Sequence, residues 1–304
     1  MRHFLQFSDF TLEEYEHLFK RAAILKQRHR AGELYQPLVG KVLAMIFEKS
    51  STRTRVSFEA GMSQLGGHAM FMHSKDTQLG RGEPIEDVAQ VISRMTNIVM
   101  VRTYEQSIIE RFAENSLVPV INGLTNEYHP CQIMADIFTW VERNGPIQGK
   151  TVAWIGDSNN VSRTWLQAAK VFDFKLNLAC PRGYEMTVLD GQTYGSRYFE
   201  QFYDPFQAAR DADIVTTDVS VSMGYERETL QRKRDFLNYR VSEKTMLQAK
   251  ANALFMHCLP AHRGEEVDPE VIDGPQSVVW EEAENRMHTQ KAVLEYLLLG
   301  KVDN

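Results

Sequence analysis

VLAMIFEKSSTRTRVSF (Val42–Phe58) passes from an apolar run through a polar stretch into helical spacing, the order of a buried strand, a loop and a helix. In open parallel sheets ligands collect beyond the carboxyl ends of the strands, so the loop after such a run is the place to look for chemistry. A helix beginning near Arg53 aims backbone N–H groups and the positive end of its dipole at that loop. Ser51, Thr52 and Thr54 add hydroxyl donors, and Arg53 and Arg55 add guanidiniums, which together predict an anion cradle. A plain Ser/Thr N-cap with solvated arginines is the usual meaning of a single S-T-R tripeptide. Two arginines and three hydroxyls in one stretch favour the anion site. There is no G-x-x-x-x-G-K-[ST] segment, so a nucleotide triphosphate loop is not supported.

Working outward, the same alternation recurs. VLAMIF (42–47), HAMFM (68–72), NIVMVR (97–102) and VPVING (118–123) read as buried strands separated by amphipathic stretches. After a Gly/Pro-marked break, RNGPIQGK (143–150), the rhythm resumes with TVAWIGD (151–157), KLNLACP (175–181), DIVTTDV (213–219) and NALFMHCL (252–259). This predicts an α/β chain with two parallel sheets. The segment His129 to Arg143 and the closing stretch Glu281 to Leu299 read as long helices. A length of 304 residues also exceeds what one core usually serves. No apolar stretch is long enough for a membrane span, and the first residues resemble a helix entry rather than an export signal, with Thr11 as N-cap, Glu14 closing a capping box and Phe10 facing Tyr15. Three widely spaced cysteines without a C-x-x-C pair suggest neither disulfides nor zinc and fit a reducing cytoplasm. A net charge of -6 argues against a general nucleic-acid binder, so any cationic site must be local.

The residues after the other strands add to the pattern. Arg102 ends the third run, and HPCQ (His129–Gln132) opens a helix with Pro130 in its first turn. Guanidinium, imidazole and amide donors could converge there on one carbonyl oxygen. WIGDSNNVSRTW (154–165) has one glycine where a dinucleotide fingerprint needs three. Asn159 and Asn160 instead offer amides to an amino-acid head, or simply cap the following helix. Asp218, in TTDVSVSMG (216–224), stands beside hydroxyls and exposed backbone suited to an ammonium group. HCLP (257–260) ends the last run, and no third group is evident that would orient a base for Cys258 as a hydrolytic nucleophile.

SSTRTR, HPCQ, DVSVSMG and HCLPAHRGEEV, in this order and over nearly the whole chain, resemble the carbamoyltransferase family, and its ornithine branch in particular. The resemblance implies two α/β domains, each a parallel sheet flanked by helices, linked by two interdomain helices. Residues 1–143, with the C-terminal helix 287–304 packed back on them, would bind carbamoyl phosphate, and 144–286 would bind ornithine. By motif, Ser51, Thr52, Arg53 and Thr54 hold the phosphate, and Arg102, His129, Gln132 and Arg286 complete that site. Gln78, in DTQLGRGEP, would reach the phosphate of a neighbouring subunit, in a homotrimer or a multiple of trimers. Asn160, Asp218, Ser222 and Met223 match ornithine-binding positions, Met223 through its backbone. Cys258 and Leu259 match the segment beside the reacting amine and border the carbamoyl phosphate site. Arg53, Arg102, His129 and Cys258 are the implied catalytic residues, with no cofactor and no metal. One departure is Ser220, two residues after Asp218, where the family commonly carries tryptophan. A Pro-Leu-Pro segment, expected of the aspartate branch, is replaced here by Cys-Leu-Pro. A putrescine-specific relative is disfavoured by the Ser222-Met223-Gly224 loop, which suits an amino-acid head. A silent amino-acid or phosphate binder is disfavoured by the intact motifs.

Overall fold

The computed structural model describes residues 1–74, 82–186, 197–219 and 229–302. The chain divides into two units, one of Met1–Phe138 with Ala283–Asn304, the other of Thr139–Glu282. In the first unit, α1 (Leu12–Arg30) precedes β1 (Val42–Phe47), α2 (Thr52–Gln64), β2 (His68–His73), α3 (Ile85–Ile92), β3 (Ile98–Arg102), α4 (Gln106–Asn115), β4 (Val120–Leu124) and α5 (Pro130–Asn144). The strands pair in parallel in the order β2-β1-β3-β4. Because β1 pairs with β3 on one side and β2 on the other, the crossovers leave it in opposite directions. Its carboxyl end is therefore a switch point, where a crevice opens.

Local sequence accounts for most of these elements. Thr11 caps α1, accepting from Glu14 N–H at 3.3 Å while Glu14 accepts from Thr11 N–H at 2.8 Å; such a box is worth about 1 kcal/mol. Phe10 packs edge-on against Tyr15, with ring centroids 5.8 Å apart. The strands β1, β3 and β4 are buried almost throughout. The expectation of a buried strand at 68–72 is corrected for β2, a sheet edge whose Met70 and Phe71 are exposed. The pairing of β3 with β4 slips between Val101, opposite Asn122, and Arg102, opposite Leu124, so that Gly123 is passed over. A Cβ on Gly123 would lie 2.4 Å from Met100 Sδ, so a larger residue here would have to displace the Met100 thioether.

The second unit contains β5 (Thr151–Ile155), α6 (Asn160–Phe172), β6 (Lys175–Ala179), β7 (Phe199–Phe202), α7 (Pro205–Ala209), β8 (Ile214–Thr217), α8 (Thr229–Asp235), α9 (Glu243–Met246), β9 (Leu254–His257) and α10 (Pro269–Ile272). Its parallel sheet runs β7-β6-β5-β8-β9, so β5 is again the switch point. The reading of the sequence did not anticipate β7. Its four residues, FEQF, carry two polar side chains and lie at a sheet edge, with too short an apolar run to announce a strand.

The last helix, α11 (Val279–Leu299), contains the second junction between the units, and α5 contains the first. From Ala283 onward α11 belongs to the first unit, tied there by buried pairs. Arg21 bonds both oxygens of Glu295 at 2.8 and 3.0 Å, and Lys26 donates to Asn285 at 2.7 Å. A buried ion pair is expensive to break because the partner left behind is a desolvated charge. Among the described residues, no helix is long and apolar enough to cross a membrane.

Candidate functional site

At the carboxyl end of β1, Ser51 adopts extended backbone and caps α2, accepting from Thr54 N–H at 3.3 Å. This orientation presents the first turn of α2, with Thr52 and Arg53, at the switch point. Thr54 is fully buried and accepts Arg286 Nη2 from α11 at 2.9 Å. Arg102 arrives as the last residue of β3, buried, its Nη1 3.5 Å from the Gly123 carbonyl. His129 immediately precedes Pro130, the first residue of α5, and Gln132 lies in that helix's first turn. Gln132 donates to Asp136 at 2.8 Å.

The electrostatics show that these groups converge. His129 is buried, and its pKa lies well below 6.5, first from burial and then from the charges of Arg286, Arg102 and Arg53. An imidazole kept neutral by burial and by three nearby guanidiniums marks a pocket of positive potential inside a chain of net charge -6, as a bound anion requires. Arg55 does not join it. Half-exposed, it pairs with Glu59 at 3.1 Å and lies 3.9 Å over the Phe71 ring. The stretch therefore contributes one arginine to the cluster where the tally of donors had counted two. Helical spacing explains the difference, since residues two apart on a helix face different ways. Gln78 lies outside the described residues.

The second unit holds a different cluster at the ends of β5, β8 and β9. Asp218 follows β8 and receives Asn159 Nδ2 at 2.8 Å, Val219 N–H at 2.8 Å and the Cys258 thiol at 3.2 Å. Asn159 also caps α6 through its Oδ1. The capping reading of this asparagine therefore applies, while the other end of its amide is engaged by Asp218. Asn160 is the first residue of α6. Gly156, at φ +147°, ends β5 in a conformation open to glycine, and its side faces Thr217 Oγ1. A cleft of about 180 Å³ lies here, bordered by Gly156, Thr217, Asp218, Phe236, Tyr239 and Glu266. Ser220, Ser222 and Met223 lie outside the described residues.

His257 and Glu266 were not anticipated. Glu266 supplies the third group that was not evident in the sequence, but it does not wire a nucleophile. One imidazole nitrogen accepts Leu259 N–H at 2.8 Å and the other faces Glu266 at 3.1 Å, so neither serves the Cys258 sulfur. Asp218, His257 and Cys258 bring ligand atoms within 4.8 Å of one another. With both imidazole nitrogens committed, the histidine would have to abandon a buried bond to take a metal. The signal for this pair was a histidine nine residues before a glutamate across a Pro/Gly-containing turn, a spacing with no regular period.

Residues 2–142 match the family described as aspartate/ornithine carbamoyltransferase, carbamoyl-P binding domain, and residues 148–297 match its Asp/Orn binding domain. An ornithine carbamoyltransferase of Chromobacterium violaceum is 66% identical over 300 residues, covering 99% of this chain and 98% of that protein. One from Nitrosomonas europaea is 64% identical over 302 residues, covering 99% and 98%. Among solved structures, the ornithine carbamoyltransferase of Burkholderia thailandensis superposes with a TM-score of 0.91 at 60% identity, over 99% of this chain and 100% of that one. That of Pyrococcus furiosus gives 0.91 at 42% identity, over 99% and 98%.

Proposed function

We propose that this chain, which belongs to the aspartate/ornithine carbamoyltransferase family, transfers the carbamoyl group of carbamoyl phosphate to the δ-amine of L-ornithine, yielding L-citrulline and phosphate. The observation that carries the reading is the set of three arginines around neutral His129 beside the N-terminus of α2. That set suits a small dianion bearing a carbonyl. In this reading Ser51, Thr52, Arg53 and Thr54 hold the phosphate. Arg102, His129, Gln132 and Arg286 face the carbamoyl group, where a neutral imidazole and guanidinium donors take up the charge that develops on its oxygen. Asp218 and Asn160, with Ser222 and Met223, hold ornithine, and Cys258 and Leu259 border its reacting amine.

The δ-nitrogen, as a free base, bonds to the carbonyl carbon. The resulting tetrahedral oxyanion collapses with cleavage of the carbon–oxygen bond to phosphate, and the nitrogen gives up a proton. Phosphate is a good leaving group, so positioning and charge stabilisation account for the rate. No step calls for a cofactor.

The test is citrulline formation from carbamoyl phosphate with ornithine, putrescine and aspartate offered separately. Ornithine is expected to be the productive acceptor. Absence of a ureido product with ornithine overturns the reading, and a preference for putrescine moves it to a neighbouring specificity.

The reading also includes a cytoplasmic homotrimer in which Gln78 of one copy serves the phosphate site of another. Met70 and Phe71 on edge strand β2, with Val56 on α2, stay exposed, an apolar face suited to another copy of the chain. Light scattering is expected to give a multiple of three 35.0 kDa chains; a monomer or dimer at working concentration rules the assembly out.

A further inference from the structure

Leu259, next to the cysteine at the end of β9, stands in the left-handed region with φ +56°. A leucine adopts that conformation only where its surroundings hold it there. Here the hold is a chain of buried polar groups. Leu259 N–H donates to His257 Nδ1 at 2.8 Å, and His257 Nε2 faces Glu266 Oε1 at 3.1 Å. Because Nδ1 accepts, the ring's proton sits on Nε2, where the carboxylate receives it. Both partners are almost wholly buried. Each is pinned in turn: His262 N–H donates to Glu266 at 2.6 Å, and His257 N–H donates to Glu282 at 3.0 Å. The residue between the histidine and the strained leucine is Cys258, whose thiol lies 3.2 Å from Asp218.

We propose that the buried His257–Glu266 pair is a positioning dyad: by locking the turn at Leu259 it holds the Cys258 thiol against Asp218, so that the acceptor amine meets a preset wall. His257 touches no substrate itself, since both of its ring nitrogens are committed inside the protein. This assignment rests on the function proposed above and deepens its amine half. The gain is one of preorganisation, because a misplacement of about 1 Å in a positioning group can cost on the order of a hundredfold in rate.

The experiment uses the full chain with His257→Leu and His257→Asn. Both are measured for kcat, for KM of each substrate, and for the rate at which iodoacetamide alkylates Cys258. Leucine removes the acceptor, whereas the asparagine Oδ1 lies near the former Nδ1 and can still receive Leu259 N–H. His257→Leu is expected to raise KM for ornithine about tenfold and to leave KM for carbamoyl phosphate within about twofold. Alkylation of Cys258 should quicken about threefold as the sulfur leaves Asp218. His257→Asn should recover most of both effects. If asparagine does no better than leucine, or if both KM values rise together, the dyad is merely structural and the proposal falls. Should His257→Leu not fold, Glu266→Met, which removes the acceptor of Nε2–H, carries the same expectations at about threefold, and unchanged values overturn it. If the unsubstituted protein makes no citrulline, the proposed function fails by itself. The alkylation rates then decide the dyad, which an unchanged rate refutes.

Discussion

Arg53→Ala is expected to lower citrulline formation by about a hundred- to a thousandfold, the usual consequence of removing one preorganised donor, or ~3–4 kcal/mol. The size follows from where the residue sits. Arg53 occupies the first turn of α2 beside the Ser51 cap, and its charge reaches His129 together with those of Arg102 and Arg286. Alanine removes a fork of donors from the place where charge moves onto phosphate and carbonyl oxygens. Arg53→Lys is expected to recover only part of the loss, because an ammonium keeps the charge but not the two-pronged geometry. The effect should appear in kcat as well as in KM for carbamoyl phosphate, since these contacts strengthen as the oxyanion forms. Steady-state kinetics with citrulline as readout decides the matter. Undiminished turnover by Arg53→Ala would remove the cationic cluster from the mechanism.

The second large effect is in pH. An alkylamine like that of lysine has a pKa of about 10.4, so near neutrality only about one ornithine molecule in a few thousand carries the free base. The value of kcat/KM for ornithine is therefore expected to rise about tenfold per pH unit from about pH 7 to 9, roughly a hundredfold in all. His129 does not oppose this slope. Burial and three neighbouring guanidiniums hold its pKa well below 6.5, so it is neutral throughout that range and has no proton to lose. A flat profile would mean that the site takes the ammonium form and deprotonates it internally. Such a result would assign Cys258 or Asp218 the role of base, which their mutual 3.2 Å contact would then have to support.

The limits of sequence reasoning fall at particular residues. The cap at Thr11, the strand VLAMIF, a helix beginning near Arg53 and the helix opened by Pro130 were all legible, because each depends on neighbours within a few positions. The edge strand β7 was missed because its short FEQF run is half polar, and the edge exposure of β2 was not foreseen because HAMFM reads as apolar while its place in the sheet order is set by the fold. Arg53 and Arg55 looked alike in sequence. They differ in the fold because α2 turns one toward buried His129 and lays the other over Phe71. Likewise, Asn159 could be read as a cap or as a ligand, and only the fold shows that it caps α6 while its Nδ2 bonds Asp218.

By itself the sequence determined the alternation of strands and helices, the two-sheet α/β class, and the motifs that identify the family. Those signals are carried by local spacing and by residue type, which survive in one dimension. Tertiary structure alone decided that Arg286 reaches Thr54 across 232 positions and that a carboxylate nine residues away orients His257. Burial and charge proximity depend on distance through space, and only when the chain packs do burial and three nearby arginines together hold a histidine neutral.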